Sequence, residues 1–540
     1  MDEYIFGANI LENLTTGMYK DSKVIFREYI QNACDQIDKA VEQGILSSID
    51  DGRIEIWLDE DKRTISIEDN ATGIPKENFR KTLADIADSS KKVGEDKGFR
   101  GIGRLCGLAY CRELIFTSTA IGENVISVMR CDAKKMRELL SRNINGERFT
   151  ASEVLSQIYE FEYITDDTIT SEHKFKVELI GVNEENTELL NFAEVKDYLS
   201  FVAPVKYQNT FIYQSEIYAH TKKIGYRIDE YSICLNGEDI FKKYSTKFRT
   251  SKGEDDISGV EFKDFYDDDG NLIMWLWVGV SQFKGIIEKG NKNDKNDTAV
   301  KGGKMRGIRL RKENIQIGNE DALQKLFIED RGQHYYIGEL FAVSKDLIPN
   351  SQRDYFNENE MRVKFESKVS HYFKELKKIY YNASNLRNAL INAEKPEKLK
   401  SEHQKKEYID EIEKSKAIDE IKKAENKAEE ANKKIDNLKK QAVENTEFGS
   451  MWSKVAHGIE KGHNSGKNIN TSQVPAPVFT STDLSDDTTI QKKSSYRLDK
   501  LSQLNEKEKE IVKRICRIIK DNTDDKTAEI IISKIEEEYK

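Results

Sequence analysis

Two α/β domains followed by a helical, coiled-coil region is the fold class the sequence predicts, and three observations predict it. At 540 residues and 62.2 kDa the chain exceeds what a single hydrophobic core supports. Through residue 380, apolar alternation with period two exchanges repeatedly with apolar spacing of three to four, the mark of strands mixed with helices. Beyond it only the helical period persists. The expected domains are 1–190, 191–380, a charged helix or coiled coil over 381–445, a linker over 446–494 and a helical hairpin over 495–540.

Composition narrows the class. Charged residues make up 34% and hydrophobic residues 37%, with only 6 Pro, which suits a soluble, helix-rich chain. A net charge of −10 argues against wholesale wrapping by nucleic acid. No apolar run reaches the ~20 residues that span a bilayer, and MDEYIFGANI is no signal peptide, so no membrane partner and a cytoplasmic location are expected. The 6 cysteines lack C-x-x-C pairs or metal-spaced histidines and read as reduced, mostly buried thiols.

Residues 8–43 read as two helices, parted by Thr15-Thr16-Gly17 and with Asp21 or Ser22 capping the second. In RIEIWLDEDKRTISIEDN, Ile54, Ile56 and Leu58, then Ile65 and Ile67, alternate with polar residues and predict two strands around a charged turn. A helix over 77–87 precedes SSKKVGEDKGFRGIG, which opens onto a helix over 104–111; strands follow near 113–119, 124–130 and 174–181. The second domain holds LIMWLWVGV (272–280) and IRLRKENIQI (308–317) as strands. Between them, residues 284–312 carry ten Lys or Arg against three acids, a local basic loop open to phosphates. Ile421, Ala424, Ala428, Ala431, Ile435, Leu438 and Ala442 form a heptad seam with a thin alanine core. Residues 446–494, rich in Ser, Thr, Asn and Gly, read as linker, and the stripe from Ile511 to Ile535 as two helices.

Within REYIQNACDQ, Glu28, Asn32 and Asp35 stand at i, i+4 and i+7, on one strip of a helix. Such a strip is ordinarily a solvated face. Downstream, Asp69 ends a strand and Gly73 permits a tight turn, a place where a carboxylate can accept hydrogen bonds from an exocyclic amine. Then Gly98, Phe99, Arg100, Gly101, Ile102 and Gly103 open directly onto a helix, where backbone N–H groups can approach phosphate oxygens.

In this order the pieces resemble the gyrase, heat-shock chaperone, histidine kinase and MutL (GHKL) superfamily of ATPases, whose Bergerat fold is an α/β sandwich. The resemblance implies ATP and Mg²⁺ as cofactors, Glu28 as general base, Asn32 as the Mg²⁺ ligand, Asp69 as the adenine-reading acid, Asp35 behind it, a lid near 88–97 and the loop of Gly98 to Gly103 on the phosphates. No phosphoacceptor histidine helix precedes the domain.

Residues 308–356, ending in DLIPNSQRDYF, are similar to the middle domain of the ninety-kilodalton, HtpG-like heat-shock chaperones. That resemblance implies Arg353 as the arginine reaching the γ-phosphate on domain closure, helped by Asn350. Three positions depart from the pattern. Ala71 stands for the first glycine of D-x-G-x-G, His173 where a threonine often lies on the adenine side, and the chaperones' C-terminal dimerisation domain is not recognisable.

The expected function is an ATP-driven switch, a homodimeric clamp acting on a protein client. The alternatives are a MORC- or MutL-like clamp touching nucleic acid through 284–312 and an ATPase component of a bacterial defence system. No acidic or histidine metal cluster after residue 380 supports a nuclease or a topoisomerase.

Overall fold

The computed structural model describes residues 6–15, 17, 21–85, 103–144, 147–288, 304–443 and 447–470, with side chains as far as 464. The first helix, α1 (Asn9–Leu14), leads to α2 (Val24–Glu42). Thirteen side chains of α2 are buried, so the strip that sequence alone assigns most simply to solvent lies inside. Neither expected cap acts as one: Asp21 accepts the Lys23 N–H at 3.0 Å, one position ahead of the helix.

An eight-stranded sheet forms the floor under α2. Its strands are β1 (Arg53–Asp59), β2 (Thr64–Asp69), β3 (Cys111–Thr119), β4 (Val125–Asp132), β5 (Tyr159–Thr165), β6 (Lys174–Val182), β7 (Ser232–Leu235) and β8 (Glu238–Asp239), in the order β5-β4-β3-β6-β2-β1-β7-β8. Ile54, Ile56, Ile65 and Ile67 alternate inward as their period requires. Against that face pack α2, α3 (Lys76–Ala84), α4 (Ala133–Ile144) and α5 (Ala151–Ile158), whose Thr150 and Glu153 make a reciprocal capping box. The sheet does not stop at residue 190. After α6 (Phe192–Val202), β7 runs parallel to β1, pairing Ile54 with Ile233, and Tyr231 just before it donates to Asp38 of α2 at 2.8 Å. The expected boundary at 190/191 therefore cuts through a sheet, because a parallel partner arrives only by a long crossover that local periodicity does not reveal.

Past α7 (Gln214–Lys223) and the ribbon of β9 (Lys247–Thr250) and β10 (Gly253–Asp256) comes a second sheet. Its strands are β11 (Gly259–Tyr266), β12 (Leu272–Val280), β13 (Gly307–Lys312), β14 (Ile315–Gln316) and β15 (Ile337–Ala342), in the order β11-β12-β15-β13-β14. β12 matches its predicted span and is buried on both faces: Met274, Leu276 and Val278 toward one core, Trp275 and Trp277 toward another. The predicted strand 308–317 is instead a hairpin, turned at Glu313 and Asn314, whose φ values are 52° and 60°.

Three helices complete the described chain: α8 (Glu360–Lys405), α9 (Glu411–Val443) and α10 (Glu447–Asn470). The seam residues Ala424, Ala428, Ala431, Ile435 and Leu438 are buried within the chain, where α9 packs on α8 and α10. α10 occupies the start of the segment read as linker. Met451, Trp452, Val455, Ala456 and Ile459 form a buried stripe that the polar composition of 446–494 conceals. The predicted hairpin over 495–540 lies outside the described residues. Among these, no helix is long and apolar enough to cross a membrane.

Candidate functional site

Glu28 sits in the second turn of α2 and is 7% exposed. A buried carboxylate needs partners, and it has two guanidiniums. Arg27 Nη2 lies 3.4 Å from Glu28 Oε1, and Arg353 Nε, from the loop between β15 and α8, 3.7 Å from the same oxygen. Arg27 also donates to the Gln352 carbonyl at 3.1 Å and the Arg353 carbonyl at 3.5 Å, so the residue beside Glu28 clamps the arginine loop onto α2.

That loop is a tight reversal. Pro349 bridges Phe356, Asn350 Nδ2 donates to Asp354 at 2.6 Å, and the Arg353 carbonyl accepts the Gly318 N–H at 2.8 Å. Arg353 itself adopts φ 53°, a left-handed backbone that most side chains avoid. Asn350 thus closes the loop onto Asp354.

Gly103 begins a 3-10 helix, Gly103–Ala109, where an α-helix is expected. A Cβ placed on it would stand 2.5 Å from Glu28 Oε2. Tyr29, next along α2, donates to the Arg104 carbonyl at 3.0 Å and accepts the Gly107 N–H at 3.1 Å, holding this segment against α2. Gly98, Phe99, Arg100, Gly101, Ile102 and the expected lid over 88–97 lie outside the described residues.

The other half of the site is built at the ends of β2, β3 and β6. Asp69, the last residue of β2, is 5% exposed; burial raises its carboxyl from 3.8 to about 7, against the pull of the Ala71 N–H donated at 3.1 Å. Gly73 has φ 62°, and a Cβ there would lie 1.9 Å from the Thr119 carbonyl oxygen, so only glycine fits this turn. Ser118 accepts the Ile74 N–H at 2.7 Å. Thr72 donates to Gln36 of α2 at 3.0 Å, tying turn to helix.

The two departures in this half touch each other: His173 Nδ1 lies 2.6 Å from the Ala71 carbonyl. The imidazole thus holds a turn that has lost one of the pattern's glycines. Asn32 is half-buried and Asp35 is 4% exposed, both on the strip shared with Glu28. Arg27, Tyr29, Gln36, Thr72 and Ser118 are supporting residues that sequence reading missed. Arg27 had a signal in its adjacency to Glu28.

A helix bearing Glu and Asn over a sheet whose central strand ends in a buried Asp defines a GHKL-type nucleotide-binding domain. Residues 21–165 match the profile of the histidine kinase-, DNA gyrase B- and HSP90-like ATPases, and the N-terminal domain is of that kind. Among curated relatives, the chain is similar to the chaperone protein HtpG of Campylobacter jejuni (subsp. jejuni serotype O:23/36, strain 81-176), 35% identical over 91 residues, 15% of this chain and 14% of the relative. It is likewise similar to HtpG of Fusobacterium nucleatum, 35% identical over 104 residues, 18% and 17% of the two chains. HtpG of Methylorubrum populi is 31% identical over 113 residues, 19% and 18%. The matched stretch thus spans less than a fifth of these relatives' length.

Proposed function

We propose that the protein is a Mg²⁺-dependent ATPase, a chaperone-like conformational switch that works as a dimeric clamp on a protein client. The observation that carries the reading is the meeting of Glu28 on α2 and Arg353 on the loop between β15 and α8, 3.7 Å apart and both nearly buried. Hydrolysis of a phosphoanhydride asks for a base to orient water and a cation to stabilise the charge that develops on the leaving phosphate. Glu28 supplies the first and Arg353 the second.

Asp69 and the Gly73 turn read the adenine. The half-buried Asn32 amide suits a hard cation that typically takes few protein ligands; Asn32 would hold Mg²⁺, which when bound neutralises phosphate charge. Asp35 supports the strip from behind, and the segment from Gly98 to Gly103 cradles the phosphates. The chaperone-like role is supported by the similarity to HtpG.

ATP turnover of purified wild type, Glu28→Ala and Arg353→Ala tests the assignment. Glu28→Ala is expected to bind ATP and hydrolyse it at least ~10²-fold more slowly. Arg353→Ala is expected to lower kcat with affinity nearly intact. Wild-type turnover in either variant removes that residue's role. A client retained by Glu28→Ala with ATP, and released by ADP, supports the clamp.

A further inference from the structure

The β13–β14 hairpin holds both the helix packed beside α2 and the loop that carries Arg353. On one side Arg311 Nη2 donates to the Phe201 carbonyl in the last turn of α6 at 2.7 Å, the Arg309 guanidinium lies 4.3 Å from the centre of the Phe201 ring, and Tyr244 meets that ring edge-on at 5.8 Å. Asp197 of α6 is paired with Lys243 at 3.0 Å and with Lys304, which enters β13. α6 in turn packs along α2, which carries Glu28. On the other side, Gly318, two residues beyond β14, donates its N–H to the Arg353 carbonyl at 2.8 Å.

Arg311 is not free to shift. Its Nε pairs with Glu339 of β15 and its Nη1 donates to the Asn314 carbonyl at 2.7 Å. Glu339 also accepts from Lys242 at 3.1 Å, Tyr244 at 3.1 Å, Trp277 at 3.2 Å and Tyr207. Arg311, Lys242 and Glu339 are all 0% exposed. Apolar residues would join β13 to β15 at least as strongly. A fully partnered ionic cluster adds a defined position, and the position it defines is that of the Phe201 carbonyl relative to the strand that leads to Gly318.

We propose that the β13–β14 hairpin is a yoke that sets the placement of Arg353 against Glu28, with Arg311 as a positioning residue for ATP turnover. The inference rests on the roles proposed above for Glu28 and Arg353. It differs from a purely structural role in one respect: Arg311 acts through Arg353, so its effect on turnover depends on Arg353 being present.

The test is a double-mutant cycle in the full chain with Arg311→Lys, which keeps the pair with Glu339 and loses the reach to Phe201. Arg311→Lys is expected to lower kcat by on the order of tenfold to a hundredfold with KM for ATP nearly unchanged, and to have little further effect in an Arg353→Ala background. Equal losses in both backgrounds, or wild-type kcat, overturn the yoke. If Arg311→Lys does not fold, Asp197→Asn, at a partly exposed site, releases the Lys243 and Lys304 ties of α6 and is read in the same cycle by the same criteria. A wild-type chain that hydrolyses no ATP overturns the proposed function itself, whereas failure of the yoke alone shows as additivity, or as wild-type kcat in Arg311→Lys, in an active enzyme.

Discussion

Gly103 leaves little room beside the Glu28 carboxylate, the proposed general base. With a Cβ at 2.5 Å from Glu28 Oε2, Gly103→Ala is expected to push the carboxylate aside and lower kcat at least tenfold (~1.4 kcal/mol in the barrier) while ATP still binds, measurable by steady-state kinetics beside a binding titration. Asp69 predicts a pH dependence. Its folded pKa, about 7, lies above the ordinary 3.8, so the folded protein holds the proton more tightly and loses stability as pH rises through that window. Adenine's amine needs the ionised form, so nucleotide affinity is expected to rise about tenfold per pH unit up to about pH 7 and then level off, with proton release on binding. Calorimetry with ADP in buffers of different ionisation heat reads both, and an Asp69→Asn variant is expected to lose the dependence. At this scale the sequence was informative. Glu28, Asn32 and Asp35 declared their shared face by spacing, and Asp69 its strand end by alternation. The partnership of His173 with Ala71 was not legible, because it joins residues 102 positions apart through a backbone carbonyl.

Elements with a long, single period were read well, and those set by tertiary contact were not. β12 stood out because nine residues of LIMWLWVGV carry one polar-free message. β14 was merged into β13, since Glu313 and Asn314 look like strand interior until their left-handed turn is seen. Composition hides α10: Ser450, Ser453, His457, Gly462 and Asn464 are exposed while Trp452 is fully buried and donates its indole N–H to the Leu438 carbonyl at 2.8 Å. Trp452→Ala is therefore expected to cost about 3–5 kcal/mol in the stability of the helical region, read by urea unfolding, whereas a true linker would register nothing. The heptad seam of α9 was legible as a seam but not by its partner, because α8 offers its own buried stripe, including Leu386 and Ala389, within the same chain.

At the scale of the molecule, the two-sheet plan was foreseen and the seam between the sheets was not. Arg353, from the loop that follows the second sheet, reaches Glu28 over the first, and β7 with β8 crosses back to finish the first sheet. A fragment ending at residue 190 is expected to self-associate on size-exclusion chromatography, since it leaves the β1 backbone facing solvent as an open edge. The same crossover bears on biogenesis. β1 begins at Arg53 and its parallel neighbour at Ser232, so on a ribosome the first sheet waits for about 180 further residues before its last seat is taken. During that interval the nascent chain carries an unsealed flank, whose bare backbone groups any neighbouring strand could pair with.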